Sequence, residues 1–206
     1  NPDRLGTPHA AMLDMLARMR APRDEFSAFF IGGGSYSIPR AWAQDAGVRA
    51  RSTVAEIDPV VTEIAVRDFW FDPATARIIH DDARRALRLN AETYDVVIGD
   101  AFTDIAVPAH LVTREFFELV EARLNPGGVF LMNVIDFADR LDALAAVVRS
   151  LREVFPVVEV WAELAPPDAD ARLVFIVLAG ERASPFERLI SPAPDFLQSG
   201  RLSDQA

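Results

Sequence analysis

Residues 26–37 read Phe-Ser-Ala-Phe-Phe-Ile-Gly-Gly-Gly-Ser-Tyr-Ser, and this stretch decides the fold. Its first half is apolar with no solvent-facing side, which is typical of a buried strand, and three glycines end it abruptly. Glycine is needed where the backbone takes a positive φ or comes close to a ligand. A helical pattern follows, so the first N–H groups of that helix point into the same space as the glycines. The stretch therefore predicts a strand, a ligand-binding turn and a helix.

The rest of the chain repeats this alternation of strands and helices. Short apolar segments predict six further strands, at residues 52–57, 76–80, 94–100, 129–134, 157–162 and 173–179. Alternation of this kind predicts a mostly parallel sheet with helices on both faces. The last two strands have no helix between them, so we expect them to form an antiparallel hairpin. The fold class is therefore α/β, with a seven-stranded, mostly parallel sheet that ends in a C-terminal antiparallel hairpin.

Three segments are predicted along the chain: an N-terminal helical segment at 1–24, a nucleoside-binding Rossmann domain at 25–183 and a C-terminal tail at 184–206. The tail is rich in proline, serine and charge, so we expect it to be loosely held. The chain begins with Asn1 rather than Met, as a trimmed chain or a fragment does. It shows no signal peptide and no apolar run near the roughly 20 residues of a membrane span. We expect a cytoplasmic protein without membrane contact.

The composition excludes several kinds of chemistry. The chain has no cysteine, which excludes disulfides, thiolate catalysis and cysteine-ligated zinc. All 21 basic residues are arginine, which excludes Schiff-base chemistry on lysine and the lysine of a P-loop. The net charge of −10 comes without a basic footprint, so we expect no nucleic-acid partner. The 3 histidines lie far apart without metal-ligand spacing, so we expect no metal site.

Acidic residues follow three of the first four predicted strands. In an open parallel sheet, ligands bind beyond the carboxyl ends of the strands, so these positions predict the binding site. Glu56 lies 24 residues after Gly32, close to the spacing of about 20 at which an acid meets a ribose. Asp82 can accept from an adenine amino group, and Asp100 can orient or deprotonate an amine. Asp104 follows in the same loop as a second carboxylate.

Each of these residues also has a purely structural interpretation. Glu56 can be a solvated loop acid, Asp82 a helix cap and Asp100 a cap for the turn that follows it. The glycines themselves form a loose Gly-x-Gly-x-x-Ser pattern, which both NAD enzymes and adenosylmethionine enzymes use. The C-terminal hairpin and the acids after the third and fourth strands favour the adenosylmethionine type.

These residues together resemble the spermidine/spermine synthase (polyamine aminopropyltransferase) family. The resemblance runs from about residue 26 to 134 and rests on five segments, at 31–34, 54–61, 82–83, 94–100 and 111–117. It implies a methyltransferase-like Rossmann fold, binding of S-adenosylmethionine, its decarboxylated form or methylthioadenosine, attack by a polyamine or other amine, and a homodimer. The residues that the resemblance places at the donor are Gly32, Gly33, Gly34, Ser35, Glu56 (ribose), Ile57, Asp82 (adenine amino group), Ala83 and Asp100. It implies that Asp100 and Asp104 are catalytic.

The sequence departs from the family at four points, one of which is that the Tyr-His-Glu stretch of the family appears here only as Pro8-His9-Ala10. Family members carry an aspartate after the three glycines, where it helps hold the ammonium tail of the donor, and this chain has Ser35. The second loop acid of the family comes three residues after the first, but Asp104 comes four after Asp100. The N-terminal β-hairpin domain of the family has no counterpart here. Two alternatives follow, a methyltransferase that uses ordinary S-adenosylmethionine and a nucleoside-binding relative without catalysis.

Overall fold

The structure is a computed structural model that describes residues 5–21, 25–102, 107–163, 172–190 and 198–201. Within these ranges the chain forms six α-helices and nine strands. The helices are α1 (Pro8–Arg20), α2 (Ser37–Gln44), α3 (Pro59–Asp68), α4 (Ala83–Leu89), α5 (Arg114–Glu121) and α6 (Asp142–Arg152). The strands are β1 (Glu25–Ile31), β2 (Arg49–Ala55), β3 (Ala76–Ile79), β4 (Tyr94–Gly99), β5 (Leu124–Phe137), β6 (Val157–Glu163), β7 (Arg172–Gly180), β8 (Arg188–Ile190) and β9 (Gln198–Arg201).

All nine strands form one sheet in the order β3-β2-β1-β4-β5-β7-β6-β9-β8. The first five strands of the chain pair in parallel, and β7 lies antiparallel between β5 and β6. The order reverses between β1 and β4, because the chain builds outward to β3 and then returns to the other side of β1. Such a switch point opens a crevice at the carboxyl ends of the strands.

The predicted α/β fold is confirmed, with all seven strands in place, but three details differ. The structure adds β8 and β9 in the segment that the sequence predicted as a loosely held tail: β9 pairs with β6, and β8 pairs with β9 at the edge of the sheet. Strand β5 is longer than the predicted 129–134 and begins at Leu124. The pattern of residues 139–155 predicts one long amphipathic helix, but α6 begins only at Asp142 because a left-handed Leu141 precedes it. The division of the chain into three segments stays a prediction.

Two apolar clusters cover the two faces of the sheet. On one face, Leu13 and Leu16 of α1 and Trp42 of α2 pack against the sheet, and on the other, Phe117 of α5 and Leu151 of α6 do so. Burying a side chain of this kind contributes about 1.5–3 kcal/mol, so both faces are committed to the core. The carboxyl edge of the strands is therefore where polar side chains can gather. No helix in the described ranges is long and apolar enough to cross a membrane.

Candidate functional site

Backbone hydrogen bonds hold the carboxyl ends of the first four strands in one row. Gly32 donates to the carbonyl of Ala55 at 2.9 Å, and Glu56 donates to that of Ile79 at 3.0 Å. On the other side of β1, Asp100 donates to the carbonyl of Ile31, also at 3.0 Å. The glycine turn, Glu56 and Asp100 thus lie at neighbouring strand ends, as the sequence predicted.

The three glycines are needed for two different physical reasons. Gly32 has a φ of 92° and Gly34 a φ of 51°, a backbone region that side-chain-bearing residues rarely adopt. A Cβ on Gly32 would lie 3.0 Å from the carbonyl oxygen of Asp100, so the turn abuts the end of β4. A Cβ on Gly33 would lie 2.5 Å from the ring of Tyr36. The turn therefore has no room for a side chain on Gly32, which packs against the end of β4, or on Gly33, which packs against the ring of Tyr36.

Tyr36 supports the glycine turn from below. Its side chain is buried and stacks on Phe71 with ring centroids 4.1 Å apart, although its φ of 52° is left-handed. Its hydroxyl hydrogen-bonds to Thr62 at 2.6 Å, and Thr62 in turn hydrogen-bonds to His80 at 3.1 Å. Burial raises the pKa of Tyr36, so the phenol stays protonated at neutral pH. This chain connects the turn to the end of β3.

Glu56 binds the backbone of the glycine turn. Its Oε2 accepts from the N–H of Gly33 at 2.8 Å and of Gly34 at 3.4 Å, and its Oε1 accepts from Asp58 at 2.9 Å. The side chain is only 7% exposed. A carboxylate has about four acceptor positions, so one remains, on Oε1. Glu56 can accept one ribose hydroxyl with all three bonds intact, and a second only if a backbone bond is released.

Asp82 caps helix α4 and pairs with a histidine. Its Oδ1 accepts from the N–H of Arg85 at 2.9 Å, and its Oδ2 lies 2.7 Å from Nε2 of His110. Burial alone would raise the pKa of Asp82, but these two hydrogen bonds outweigh it and hold the pKa below its ordinary value. Both predicted interpretations remain compatible with this geometry, because Oδ2 lies at the protein surface.

Asp100 receives a hydrogen bond from a residue that the sequence analysis did not single out. Its Oδ1 accepts from Nδ2 of Asn133 at 2.8 Å. Asn133 is buried in β5, and among the described residues nothing donates to its Oδ1. One sequence signal could have found it, because Asn133 is the single polar residue in the apolar run of residues 129–134. Asp104, the other predicted catalytic acid, lies outside the described residues.

A cavity of about 360 Å³, here called the glycine cavity, opens at the turn. Its lining includes all three glycines, Ser35 and Asp100, the start of α1 with His9, and Arg40, Phe69 and Trp70. The structure therefore brings Asp100 and Ser35 together with the turn. The other predicted residues lie beside this cavity, with Glu56 behind the turn, Ile57 71% exposed at the end of β2, and Asp82 and Ala83 at the start of α4.

Arg40 and Trp70 also line the cavity, and the sequence analysis predicted no functional role for either. Arg40 is buried in the first turn of α2, and its guanidinium donates to the carbonyl oxygen of Phe69. The next residue, Trp70, has a φ of 56° and is 64% exposed, an unusual conformation for a bulky side chain. No local pattern in the sequence marks either position, since α2 and Trp70 meet only in the folded chain. Within the described ranges, no group of three or more His, Asp or Glu is placed to hold a metal ion.

Comparisons with known proteins identify the family of this chain. The family model described as the spermine/spermidine synthase domain matches residues 50–187. The polyamine aminopropyltransferase of Vibrio vulnificus is 35% identical over 125 residues, which are 59% of this chain and 42% of that protein. The N-terminal histidine N-methyltransferase of Emericella nidulans is 31% identical over 157 residues, 72% of this chain and 27% of that protein.

The fold also matches a solved structure. A probable spermidine synthase from Corynebacterium glutamicum superposes with a TM-score of 0.75 and 26% identity, over 94% of this chain and 69% of that one. The predicted methyltransferase-like Rossmann fold is thereby confirmed. The chain spans less than half the length of three curated relatives that it matches, each named as a polyamine aminopropyltransferase or a probable one.

Proposed function

Because this chain belongs to the spermine/spermidine synthase family, we propose that it transfers an aminopropyl group from decarboxylated S-adenosylmethionine to an amine. One observation carries the proposal: the glycine turn, Glu56 and Asp100 meet at one edge of the sheet. The N–H of Gly33 donates to Oε2 of Glu56 at 2.8 Å. A Cβ on Gly32 would lie 3.0 Å from the carbonyl oxygen of Asp100, so the backbones of these two residues are in close contact. A nucleoside held at the turn would thus have its sulfonium beside a carboxylate.

Four residues would bind the donor in this proposal. Glu56 would accept a ribose hydroxyl at its remaining acceptor position on Oε1. Ile57, exposed next to it, would cover one face of the adenine, and Asp82 with Ala83 would meet the amino edge of the base. The hydrogen bond from a hydroxyl to a charged carboxylate contributes about 1.5–3 kcal/mol. Glu56 and Asp82 would therefore each supply a polar contribution of this size to the affinity.

The transfer itself needs little from the protein beyond position and a base. The amine nitrogen attacks the carbon next to sulfur; the C–N bond forms as the C–S bond breaks, and the electron pair goes to sulfur. The products are neutral methylthioadenosine and an ammonium that loses one proton. Asp100 would hold the amine in line and accept that proton. The hydrogen bond from Asn133 fixes the direction in which the carboxylate points.

The test is a direct assay for methylthioadenosine with decarboxylated S-adenosylmethionine and putrescine or spermidine. We expect turnover by the native protein and at least a 100-fold loss in Asp100→Asn, in the range of effects for a removed general base. Methylthioadenosine binding, measured by calorimetry, should persist in Asp100→Asn and weaken strongly in Glu56→Ala. Glu63→Gln, an exposed acid on α3, is the matched control.

Two outcomes would contradict the proposal. Full activity in Asp100→Asn would remove the role given to Asp100. Tight binding of methylthioadenosine without turnover of any donor or acceptor would instead indicate a nucleoside-binding protein without catalysis.

The homodimer that the resemblance implies, and a cytoplasmic location, also remain proposals. Light scattering in solution tests the homodimer.

A second candidate is methyl transfer from intact S-adenosylmethionine. It is favoured by the wall of the glycine cavity, where Ser35 stands in place of an acid and the guanidinium of Arg40 is also present. A carboxylate on the donor would be repelled by an aspartate at position 35 but not by a serine. The similarity to an N-methyltransferase of Emericella nidulans supports the same candidate.

Position 35 separates the two candidates. Ser35 is half-buried and its hydroxyl hydrogen-bonds to that of Ser37 at 2.6 Å. Ser35→Asp should shift the preference toward the decarboxylated donor by about tenfold, the effect of one charge interaction of about 1.4 kcal/mol. Ser35→Asn, of similar size but uncharged, is the control. If the native protein already prefers the decarboxylated donor, methyl transfer is contradicted.

A further inference from the structure

A second cavity lies on the other face of the sheet edge. It measures about 360 Å³ and is bounded by the end of β5, by α6 and by residues 107–112. We call it the β5–α6 cavity. It shares no lining residue with the glycine cavity. Its volume is within the range of small-molecule pockets, which is roughly 300–1,000 Å³.

The walls of the β5–α6 cavity are apolar. Val134 and Val147 form its buried floor, and Phe102, Val107 and Val112 line its side. A surface of this kind gains free energy by covering apolar groups of a ligand, at about 25 cal/mol per Å² removed from water. The cavity therefore favours an aliphatic or aromatic ligand.

The single carboxylate in the lining is already engaged by the backbone. Oδ1 of Asp136 accepts from the N–H of Phe137 at 2.8 Å, and its Oδ2 accepts from the N–H of Leu144 at 2.9 Å in the first turn of α6. The side chain is buried, and the N-terminus of α6 offsets its charge. Asp136 thus stabilises the start of the helix and gives no reason to expect a cationic ligand.

The guanidinium groups of two arginines lie over the ring of Phe137, which lines the cavity. The guanidinium carbon of Arg140 is 4.7 Å from the centre of the Phe137 ring, and that of Arg172 is 5.2 Å from it. Register pairs Phe137 with Arg172 across β5 and β7, which places the second cation at the cavity. In the part of the chain that the structure describes, no carboxylate forms an ion pair with Arg172. Arg172 therefore lines the cavity with an unpaired guanidinium among the described residues, whereas Arg140, over the same ring, is paired with Asp139 at 3.6 Å.

We propose that the β5–α6 cavity binds a small aliphatic or aromatic molecule that carries an anionic group. The apolar part lies against Val134 and Val147, and the acid lies at the rim beside Arg172. A polyamine would bring like charge to this arginine, so this site is distinct in chemistry from the amine-acceptor site of the proposed function.

The probes are three naphthalene compounds of equal shape, 2-naphthoate, 2-naphthalenemethanol and 2-naphthylmethylamine, measured by calorimetry on the full chain. We expect 2-naphthoate to bind about tenfold more tightly than the amine, the effect of one charge-assisted interaction. Arg172→Gln should abolish this preference and leave the affinity for the neutral alcohol unchanged. Arg149→Gln, an exposed arginine of α6 that does not line the cavity, is the control.

A second pair of variants tests the location. Ala146 lines the cavity and is itself exposed, so Ala146→Trp should block binding of all three compounds without unfolding the protein. Ala145→Trp places the same ring on the neighbouring exposed position, which does not line the cavity, and should bind all three compounds as tightly as the native protein does. Unfolding curves of both variants establish that they are folded.

Three outcomes would overturn the inference: no binding of 2-naphthoate, equal affinity for the anionic and the cationic compound, or binding that survives Ala146→Trp. Competition by methylthioadenosine would also overturn it, since the compound would then occupy the nucleoside site. The inference fails or holds independently of transferase activity, because none of these readouts uses turnover.

Discussion

The two halves of the sheet edge hold their charged side chains in different ways. At the ends of β1 to β4, Glu56 and Asp82 are tied to backbone N–H groups of neighbouring elements. At the end of β5, Arg140 and Arg172 lie over an aromatic face at the surface. Charges of the first kind hold the fold together, whereas those of the second kind can change with little effect on it. Substitutions should therefore affect stability strongly at Glu56 and Asp82 and weakly at Arg140 and Arg172.

The largest effect is expected at Gly33. Gly33→Ala places a Cβ 2.5 Å from the ring of Tyr36, which cannot move because it stacks on Phe71. Overpacking of this kind should lower the free energy of unfolding by about 3 kcal/mol, measured by chemical denaturation.

Gly34→Ala is the matched control for that substitution. A Cβ on Gly34 meets no atom within 4 Å, but its φ of 51° is left-handed. The strain alone should lower the free energy of unfolding by about 1 kcal/mol. Equal effects at both glycines would show that the contact with Tyr36 is not what constrains the turn.

The next effect is expected at Glu56, where the charge serves the fold even without a ligand. Glu56→Gln keeps the size of the side chain but turns one acceptor into an NH₂ group that faces backbone N–H donors. We expect the free energy of unfolding of the unliganded protein to fall by about 2 kcal/mol. An unchanged unfolding curve would mean that Glu56 does not stabilise the unliganded protein and serves only to bind the nucleoside.

Asp82 should show a smaller effect that depends on pH. Its pKa is lowered by the hydrogen bonds from Arg85 and His110, which outweigh its burial. Its contribution to stability is therefore complete above the ordinary carboxyl range and is lost as the pH falls through its folded-state pKa. At pH 7, Asp82→Ala should lower the free energy of unfolding by about 1 kcal/mol, the effect of a removed helix cap.

The same measurement in acid separates charge from capping at Asp82. The difference between the native protein and Asp82→Ala should shrink as the pH falls below the folded-state pKa of Asp82. Asp82→Asn, which retains a cap oxygen but has no charge, should show a smaller loss at pH 7 that also shrinks in acid, because at this position only the native side chain titrates. A difference that grows in acid would contradict the direction of the pKa shift.

The smallest effect is expected at Arg140, in the second half of the edge. Its guanidinium lies over the exposed side of Phe137, and its ion pair with Asp139 is 3.6 Å long and exposed. Arg140→Gln should lower the free energy of unfolding by about 0.5 kcal/mol. A loss as large as that in Glu56→Gln would remove the contrast between the two halves.

The sequence was sufficient for the first half of the edge because its signals are local. Parallel strands end on the same side, so acids that follow the strands had to lie together with the glycines. The partner of Glu56 could not be predicted, because its bonds to Gly33 and Gly34 join residues brought together only by the β1–β2 pairing. The roles of these residues toward a ligand stay predictions.

The second half was missed because its contacts join distant parts of the chain. Phe137 and Arg172 come into contact only through the antiparallel pairing of β5 with β7, and no spacing in the sequence predicts this contact. Strands β8 and β9 were missed for a different reason. They are 3 and 4 residues long and lie in a proline-rich region, where the pattern favours loops over strands.

The amide of Asn133 has a consequence for how Asp100 could act through a reaction cycle. In the structure the nitrogen of this amide donates to Asp100, and the amide oxygen is buried without a donor among the described residues. Rotation of the amide by half a turn about its last side-chain bond would present that oxygen instead. One neighbour can thereby satisfy the carboxylate before proton uptake and the carboxylic acid after it.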